Sequence, residues 1–186
     1  MQYLKTVRFD KQTRILITAV LLVLALIVTA GGALFFKIDP AEARQLADKL
    51  EREAKQSNDV RLIFGNNLII TIIMFVPIIG PIWGLFVLFN TGTLFAVVSI
   101  AKGIHPILVF LFLLFTPVFW LEWAAYSISM GQSVVLLLQI IRHQVKREIV
   151  RTCILITACT LILLGSAIIE WAMIKHIETD LVTPQL

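Results

Sequence analysis

Charged residues are scarce in this sequence: they make up 15% of its 186 residues, whereas hydrophobic residues make up 59%. Soluble domains usually carry about 25% charged residues, so this balance excludes a soluble fold. The net charge of +4 is modest, and the basic residues stand in short clusters beside long apolar runs. That arrangement is typical of membrane topology rather than of a nucleic-acid-binding surface, and we expect no nucleic-acid partner.

Cysteine and histidine are rare as well. Cys153 and Cys159 are six residues apart in one apolar run, which places them on different faces of a helix and argues against a disulfide or a metal clip. The three histidines, His105, His143 and His176, are scattered and each falls at the end of an apolar run. We therefore expect no metal site.

No catalytic signature is present in the sequence. It has no G-x-S-x-G, H-E-x-x-H or C-x-x-C motif and no glycine-rich phosphate loop. Ser127 and Ser129 lie in an apolar run without a histidine nearby, so an intramembrane hydrolase would lack its base. We expect a protein that is not an enzyme, with no catalytic residues and no cofactor.

What the sequence does have is a series of apolar runs, which predict an all-α transmembrane bundle of about five spans in a single domain, 1–186. The run 15–36 is interpreted as an uncleaved first span, and the core bundle follows over 62–174. Residues 62–101 suffice for two spans, with a break at 77–81. The run 152–174 is the last span.

The run 107–141 is too long for one straight crossing. Its 35 residues would form a helix of about 52 Å at about 1.5 Å per residue, against a hydrocarbon core of about 30 Å. Pro117 is the expected break, which favours a bent or re-entrant entry at 107–117 and one net crossing. The alternative is two full crossings, giving six spans.

The segment 37–61 is predicted to be a charged extramembrane helix. Asp39 as cap, Pro40 at the first position and Glu42 at the third form a strong helix start, and the helix should run to about Gln56. Its apolar stripe is narrow and rich in alanine. It is either a solvated connector or a docking helix for a partner or the membrane surface.

Basic clusters predict the orientation of the bundle. Lys and Arg are dense at 1–14 and in a basic loop at 142–151, where they adjoin the span ends. The positive-inside rule then places the N-terminus in the cytoplasm, with 37–61 and the short polar tail 175–186 outside. This describes a multi-pass protein of the cell membrane. The six-span alternative would instead put 142–151 outside.

Glu122 is the only acidic residue in the apolar run 106–141. A carboxylate at bilayer depth is costly, so it must face protein, water or a partner. Tyr126, Ser129 and Ser133 follow at helical spacing and share its face. Amides also occur at depth, and they complete a candidate polar cluster of Asn66, Asn67, Asn90, Glu122, Tyr126 and Ser129.

This cluster has two interpretations. It is either a packing lock, in which polar groups of neighbouring helices satisfy one another, or a protonatable or ion-binding site around Glu122. We expect an uncharged Glu122 carboxyl bonded to an amide of Asn90 or of the pair Asn66 and Asn67.

Three short motifs resemble those of the stage II sporulation protein M family, above all its archaeal members. They are N-N-L at 66–68, F-N-T-G at 89–92 and P-x4-E-x2-A-Y-S at 117–127. The resemblance covers about residues 60–170 and implies an integral membrane protein of about five spans without established catalysis. By position, the resemblance implies that Asn66 and Asn67 are the family's asparagine pair, that Asn90 and Gly92 form its N-x-G motif, and that Glu122 is its acidic residue. Gly92 is therefore included in the candidate cluster.

The bacterial namesake of that family acts as an anchor or scaffold in a septal membrane complex with cell-wall hydrolases. Val118 and Phe119 stand where the bacterial pattern has His and Gly after the proline, so the resemblance implies the fold and not the cell-wall role. We expect a scaffold or subunit that contacts the lipid bilayer and other membrane proteins, in a hetero-complex or a homo-oligomer. The alternatives are a small transporter or channel component using Glu122, and an accessory subunit of a respiratory or monooxygenase-type membrane enzyme.

Overall fold

The structure, a computed structural model, describes residues 10–56, 59–142 and 145–182. Lys5 and Arg8, on which part of the charge pattern rests, lie outside them, as does His143. The described residues form seven helices, in agreement with the predicted all-α bundle. They are α1 (Lys11–Phe35), α2 (Pro40–Gln56), α3 (Val60–Met74), α4 (Ile79–Ala101), α5 (Pro106–Leu113), α6 (Pro117–Ile141) and α7 (Val145–Val182).

Four of these helices are long and apolar enough to cross a membrane: α1, α4, α6 and the part of α7 over Glu148–His176. The chain is therefore a helical membrane bundle. α3 has 15 residues, which gives about 22 Å at about 1.5 Å per residue, short of the hydrocarbon core. A fifth crossing through α3 stays a prediction.

The break at Pro117 is confirmed. α5 ends at Leu113, and α6 begins with Pro117 at its first position and with Thr116 as its cap, whose hydroxyl accepts from the Phe119 amide at 3.4 Å. Eight residues of α5 cover only about 12 Å, so the segment 107–141 crosses once. The two-crossing alternative is wrong because its first arm is too short.

The predicted charged helix is confirmed in its bounds. α2 begins at Pro40, and the Asp39 carboxylate accepts from the Ala41 amide at 2.8 Å. Its apolar stripe packs along α4 with Ala43 fully buried. The structure therefore gives this stripe an intramolecular contact.

The predicted basic loop at 142–151 is wrong. Arg142, Lys146, Arg147 and Arg151 do not form a loop, because α7 begins at Val145 and includes three of them. The same helix continues through the predicted polar tail as far as Val182. A single long helix provides hydrogen bonds for the backbone N–H and C=O groups of the whole region, including those at bilayer depth.

Helix packing places α1 against α4 and α6 against α7 as the most extensive pairs, while α3 contacts α4, α6 and α7. Leu88, Met74, Met130 and Leu163 are fully buried in the core. By chain connectivity the C-terminal end of α1 and the N-terminal end of α3 lie on the side of the bundle that carries α2, which we call the α2 side. The turn between α3 and α4 lies at the other side.

Candidate functional site

Three helices bring polar side chains together at Glu122. The Asn67 amide of α3 donates to Glu122 Oε1 at 2.7 Å, and the Tyr126 hydroxyl donates to Asn67 Oδ1 at 3.1 Å. Glu122 and Tyr126 lie one turn apart on α6 and therefore reach the same amide. From α7, the Ser166 hydroxyl lies 3.5 Å from Glu122 Oε1. The Glu122 carboxyl thus sits between helices and is bonded to one of the amides that the sequence indicates.

Beside these hydrogen bonds lies a pocket of about 480 Å³ on the α2 side of the bundle. It is open on one side and contains two carboxyl groups, from α6 and α7, together with two amides from α3. Its lining residues are Leu62, Ile63, Asn66, Asn67, Glu122 and Glu170. Such a pocket can bind a cation or a hydrogen-bond donor.

Two of the pocket's polar side chains have no hydrogen bond within the described residues. Asn66 is exposed on α3, and Glu170 is half-buried on α7. Both residues lie near the end of a span, where a polar side chain is satisfied either by water or by a neighbouring protein. This side of the cluster therefore leaves two polar side chains open to a partner outside the chain.

Three of the predicted cluster residues lie elsewhere. Asn90 donates to the Phe86 carbonyl of its own helix at 2.8 Å and forms no hydrogen bond with Glu122. Gly92 lies against α1, where a Cβ would overlap the Thr29 carbonyl oxygen. Ser129 donates to the Ala125 carbonyl at 2.7 Å and contacts Cys159 Sγ at 3.8 Å. The predicted joint cluster is therefore wrong for these residues, because Gly92 of α4 faces α1 and because the Ser129 hydroxyl is already bonded to a carbonyl of its own helix.

Glu170 is the pocket residue that the sequence analysis missed. Its place beside Trp171 and Lys175, near the end of an apolar run, is typical of a membrane interface. The signal that could have found it is its spacing from Ser166, since both lie on one face of α7, one turn apart. A face with two polar groups in an apolar run indicates an interhelical contact.

A second polar group joins α1, α6 and α7 near the N-terminal ends of α1 and α7. Arg14 donates to both carboxylate oxygens of Glu148, at 2.7 and 3.0 Å, in a bidentate ion pair. The Gln132 amide donates to Glu148 Oε2 at 3.3 Å and to Thr152 Oγ1 at 3.0 Å. This arrangement is closed, because the Glu148 side chain is only 6% exposed.

Within the part of the chain that the structure describes, no group of three or more His, Cys, Asp or Glu is placed to hold a metal ion. Cys153 is exposed and Cys159 is buried, and the two are not paired, as their spacing predicts.

Comparison with known proteins finds no matching family model, no matching curated protein and no matching solved structure. The resemblance to the stage II sporulation protein M family consequently stays a prediction.

Proposed function

We propose that this protein is a non-catalytic scaffold or subunit of a larger membrane complex. The observation that supports this most directly is the open side of the polar pocket, where Asn66 and Glu170 have no hydrogen-bond partner in the described chain. Polar groups at bilayer depth are normally satisfied by neighbouring helices. A second protein that packs on this side would supply the missing partners.

The proposal includes a place in the cell membrane with the N-terminus in the cytoplasm. It is supported by the basic residues Arg14, Arg142, Lys146 and Arg151 near the N-terminal end of α1 and the α6–α7 turn. Single cysteines replacing the exposed residues Lys49 on α2 and Lys146 on α7, in a background without native cysteines, test this with an impermeant thiol reagent. Labelling of position 49 alone in intact cells is expected. Equal labelling of both positions would mean that α3 does not cross.

Assembly is tested by purifying the protein at its native expression level in mild detergent and weighing it by native mass spectrometry. We expect a complex with a different protein at fixed stoichiometry. Glu170→Gln and Asn66→Leu should weaken that complex, whereas Glu53→Gln on the exposed face of α2 should leave it unchanged. A wild-type protein that is monomeric in every mild detergent would contradict a scaffold or subunit role.

Transport is the second candidate, and the presence of two carboxyl groups, Glu122 and Glu170, in one pocket favours it. Intramembrane carboxylates are typical of proton and cation pathways. Glu122→Gln separates the two functions, because glutamine keeps the shape but cannot titrate. If this variant assembles normally and abolishes a proton- or cation-dependent flux in liposomes, transport replaces the scaffold role.

A further inference from the structure

We propose that the pocket receives the Lys or Arg side chain of a transmembrane helix belonging to a different protein. This deepens the proposed role as a subunit and rests on it. The first argument is charge. Neither Glu122 nor Glu170 has an ion pair in the described chain, and Glu122 is bonded only to the neutral groups of Asn67 and Ser166. Ionisable residues within transmembrane segments usually pair with one another or with backbone carbonyls, and no basic residue pairs with either carboxyl in the described chain.

The same molecule shows what a completed carboxylate looks like. Glu148 is paired with Arg14 at 2.7 Å and with Arg151 at 3.3 Å. The pocket at Glu122 therefore differs from the chain's other interhelical carboxylate by the absence of a cationic partner. A basic side chain entering from outside would make the two equivalent.

The chain itself offers no basic side chain inside its spans. Its apolar runs 15–36, 62–101, 103–141 and 152–174 contain no Lys or Arg. Arg61 and Lys175, the basic residues nearest to the pocket along the chain, stand just beyond the ends of two of these runs. A Lys or Arg that approaches Glu122 from within a span would therefore come from a different protein.

The size of the pocket and the exposed face of α3 beside it fit a side chain carried by a helix better than a bare ion. A volume of about 480 Å³ lies within the range of about 300–1,000 Å³ that is typical of sites for organic groups. Beside it, α3 exposes Leu62, Asn66 and Ile69 at helical spacing, with Leu62 55% and Ile69 63% exposed. Two apolar residues flanking a polar one form a face on which another helix can pack.

A direct test uses a synthetic transmembrane peptide of about 22 leucine and alanine residues with one Lys. The Lys is placed near the depth of Glu170, which lies six residues before His176 at the end of its apolar span. Its association with the labelled full-length protein is measured by energy transfer in phosphatidylcholine vesicles. The matched control peptide carries Leu at the same position.

We expect the Lys peptide to associate about tenfold more tightly than the Leu peptide, as for a good interhelical polar contact. The double variant Glu122→Gln and Glu170→Gln should reduce the Lys peptide to the level of the Leu peptide, while Glu53→Gln should not. Equal association of both peptides with the wild-type protein would overturn the proposal. This comparison uses only the wild-type protein, so it does not depend on whether the variants fold.

A lipid amine is the competing occupant, and a further arm of the experiment detects it. If phosphatidylethanolamine in the vesicles abolishes the advantage of the Lys peptide, the pocket binds a headgroup amine and the proposed partner helix is wrong. Failure of the subunit role looks different, because it appears as a monomer in native purification whatever the peptides do. A complex that survives both Glu→Gln changes would keep the subunit role and reject the pocket as its contact.

Discussion

The two interhelical carboxylates of α6 and α7 have opposite surroundings. Glu148 is bonded to Arg14, Gln132 and Arg151, and its side chain is 6% exposed. Glu122 receives hydrogen bonds from neutral groups alone and faces a pocket that also holds Glu170. A carboxylate that the chain pairs by itself indicates a structural role, whereas one left beside a second carboxyl indicates a role that requires something outside the chain.

The largest expected effect comes from breaking the closed group. Arg14→Met leaves Glu148 buried without its main partner, which should lower the free energy of unfolding in detergent micelles by about 3 kcal/mol. Lys49→Met is the control, since Lys49 and Glu53 are 3.9 Å apart with side chains 71% and 60% exposed, and such pairs are worth about 0–1 kcal/mol.

The double change Arg14→Met and Glu148→Leu sharpens this prediction. Replacing a whole buried pair by apolar residues is often neutral or stabilising, so the double variant should be more stable than Arg14→Met. A double variant that is the less stable of the two would mean that Glu148 acts through Gln132 and Thr152 rather than through Arg14.

The α2 side is also held together, but by backbone packing. Gly92 of α4 and Gly32 of α1 lie so close to the facing helix that a Cβ on either would overlap a backbone carbonyl oxygen. Gly92→Ala should therefore destabilise the bundle by roughly 1–3 kcal/mol, as overpacking does.

Gly165→Ala on α7 is the matched control, because nothing lies within 4 Å of its Cβ position. It should be neutral or stabilising by up to about 1 kcal/mol through helix propensity. If both changes have the same effect on the free energy of unfolding, α1 and α4 can move apart to accommodate the added methyl group. The packing on the α2 side would then be less rigid than the closed group at Glu148.

A smaller effect is expected at the open pocket. Glu122→Leu removes the acceptor of the Asn67 amide at depth, so the free energy of unfolding should fall by about 0.6–2 kcal/mol. Glu122→Gln keeps a polar partner and should lie close to the wild type. Thermal unfolding in detergent compares the two. A loss for Glu122→Leu as large as that for Arg14→Met would contradict the distinction between an open and a closed carboxylate.

Features of the fold could be predicted from the sequence when the interacting residues are close to each other along the chain. The start of α2 at Pro40 and the break before Pro117 are local, because a cap and a proline act on the adjacent turn. The contact of Glu122 with an amide could be anticipated because few partners exist at depth. Which amide it is could not be predicted, since the approach of Gly92 to Thr29 fixes the rotation of α4 and turns Asn90 away.

The polar groups contributed by α7 show the same limit. Glu148 and Glu170 stand near the ends of an apolar run, where charged residues need no special explanation. The partners of Glu148 on α1 and α6 are 134 and 16 residues away, and the residues that line the pocket with Glu170 lie on α3 and α6. Only the packing of the helices shows that one of these carboxylates is enclosed and the other lines a pocket.

The smallest effect is expected outside the bundle, at the cap of α2. The Asp39 carboxylate accepts from the Ala41 amide at 2.8 Å, so Asp39→Ala should cost about 1 kcal/mol of local helix stability and speed hydrogen exchange in the first turn. Asp39→Asn keeps the acceptor and should preserve the protection.

Glu42→Gln tests whether Glu42, the third residue of the predicted helix start, contributes to the cap by accepting a hydrogen bond from the Asp39 amide. The structure shows no hydrogen bond from the Asp39 amide to the Glu42 side chain within the described residues, so this change should leave the exchange of the Asp39 amide unaltered. Ala43, one position further, is fully buried and α2 packs along α4. If Asp39→Ala leaves the hydrogen-exchange protection of the first turn unchanged, the packing of α2 on α4 rather than the cap determines where α2 begins. The stability of α2 would then depend on the rest of the bundle.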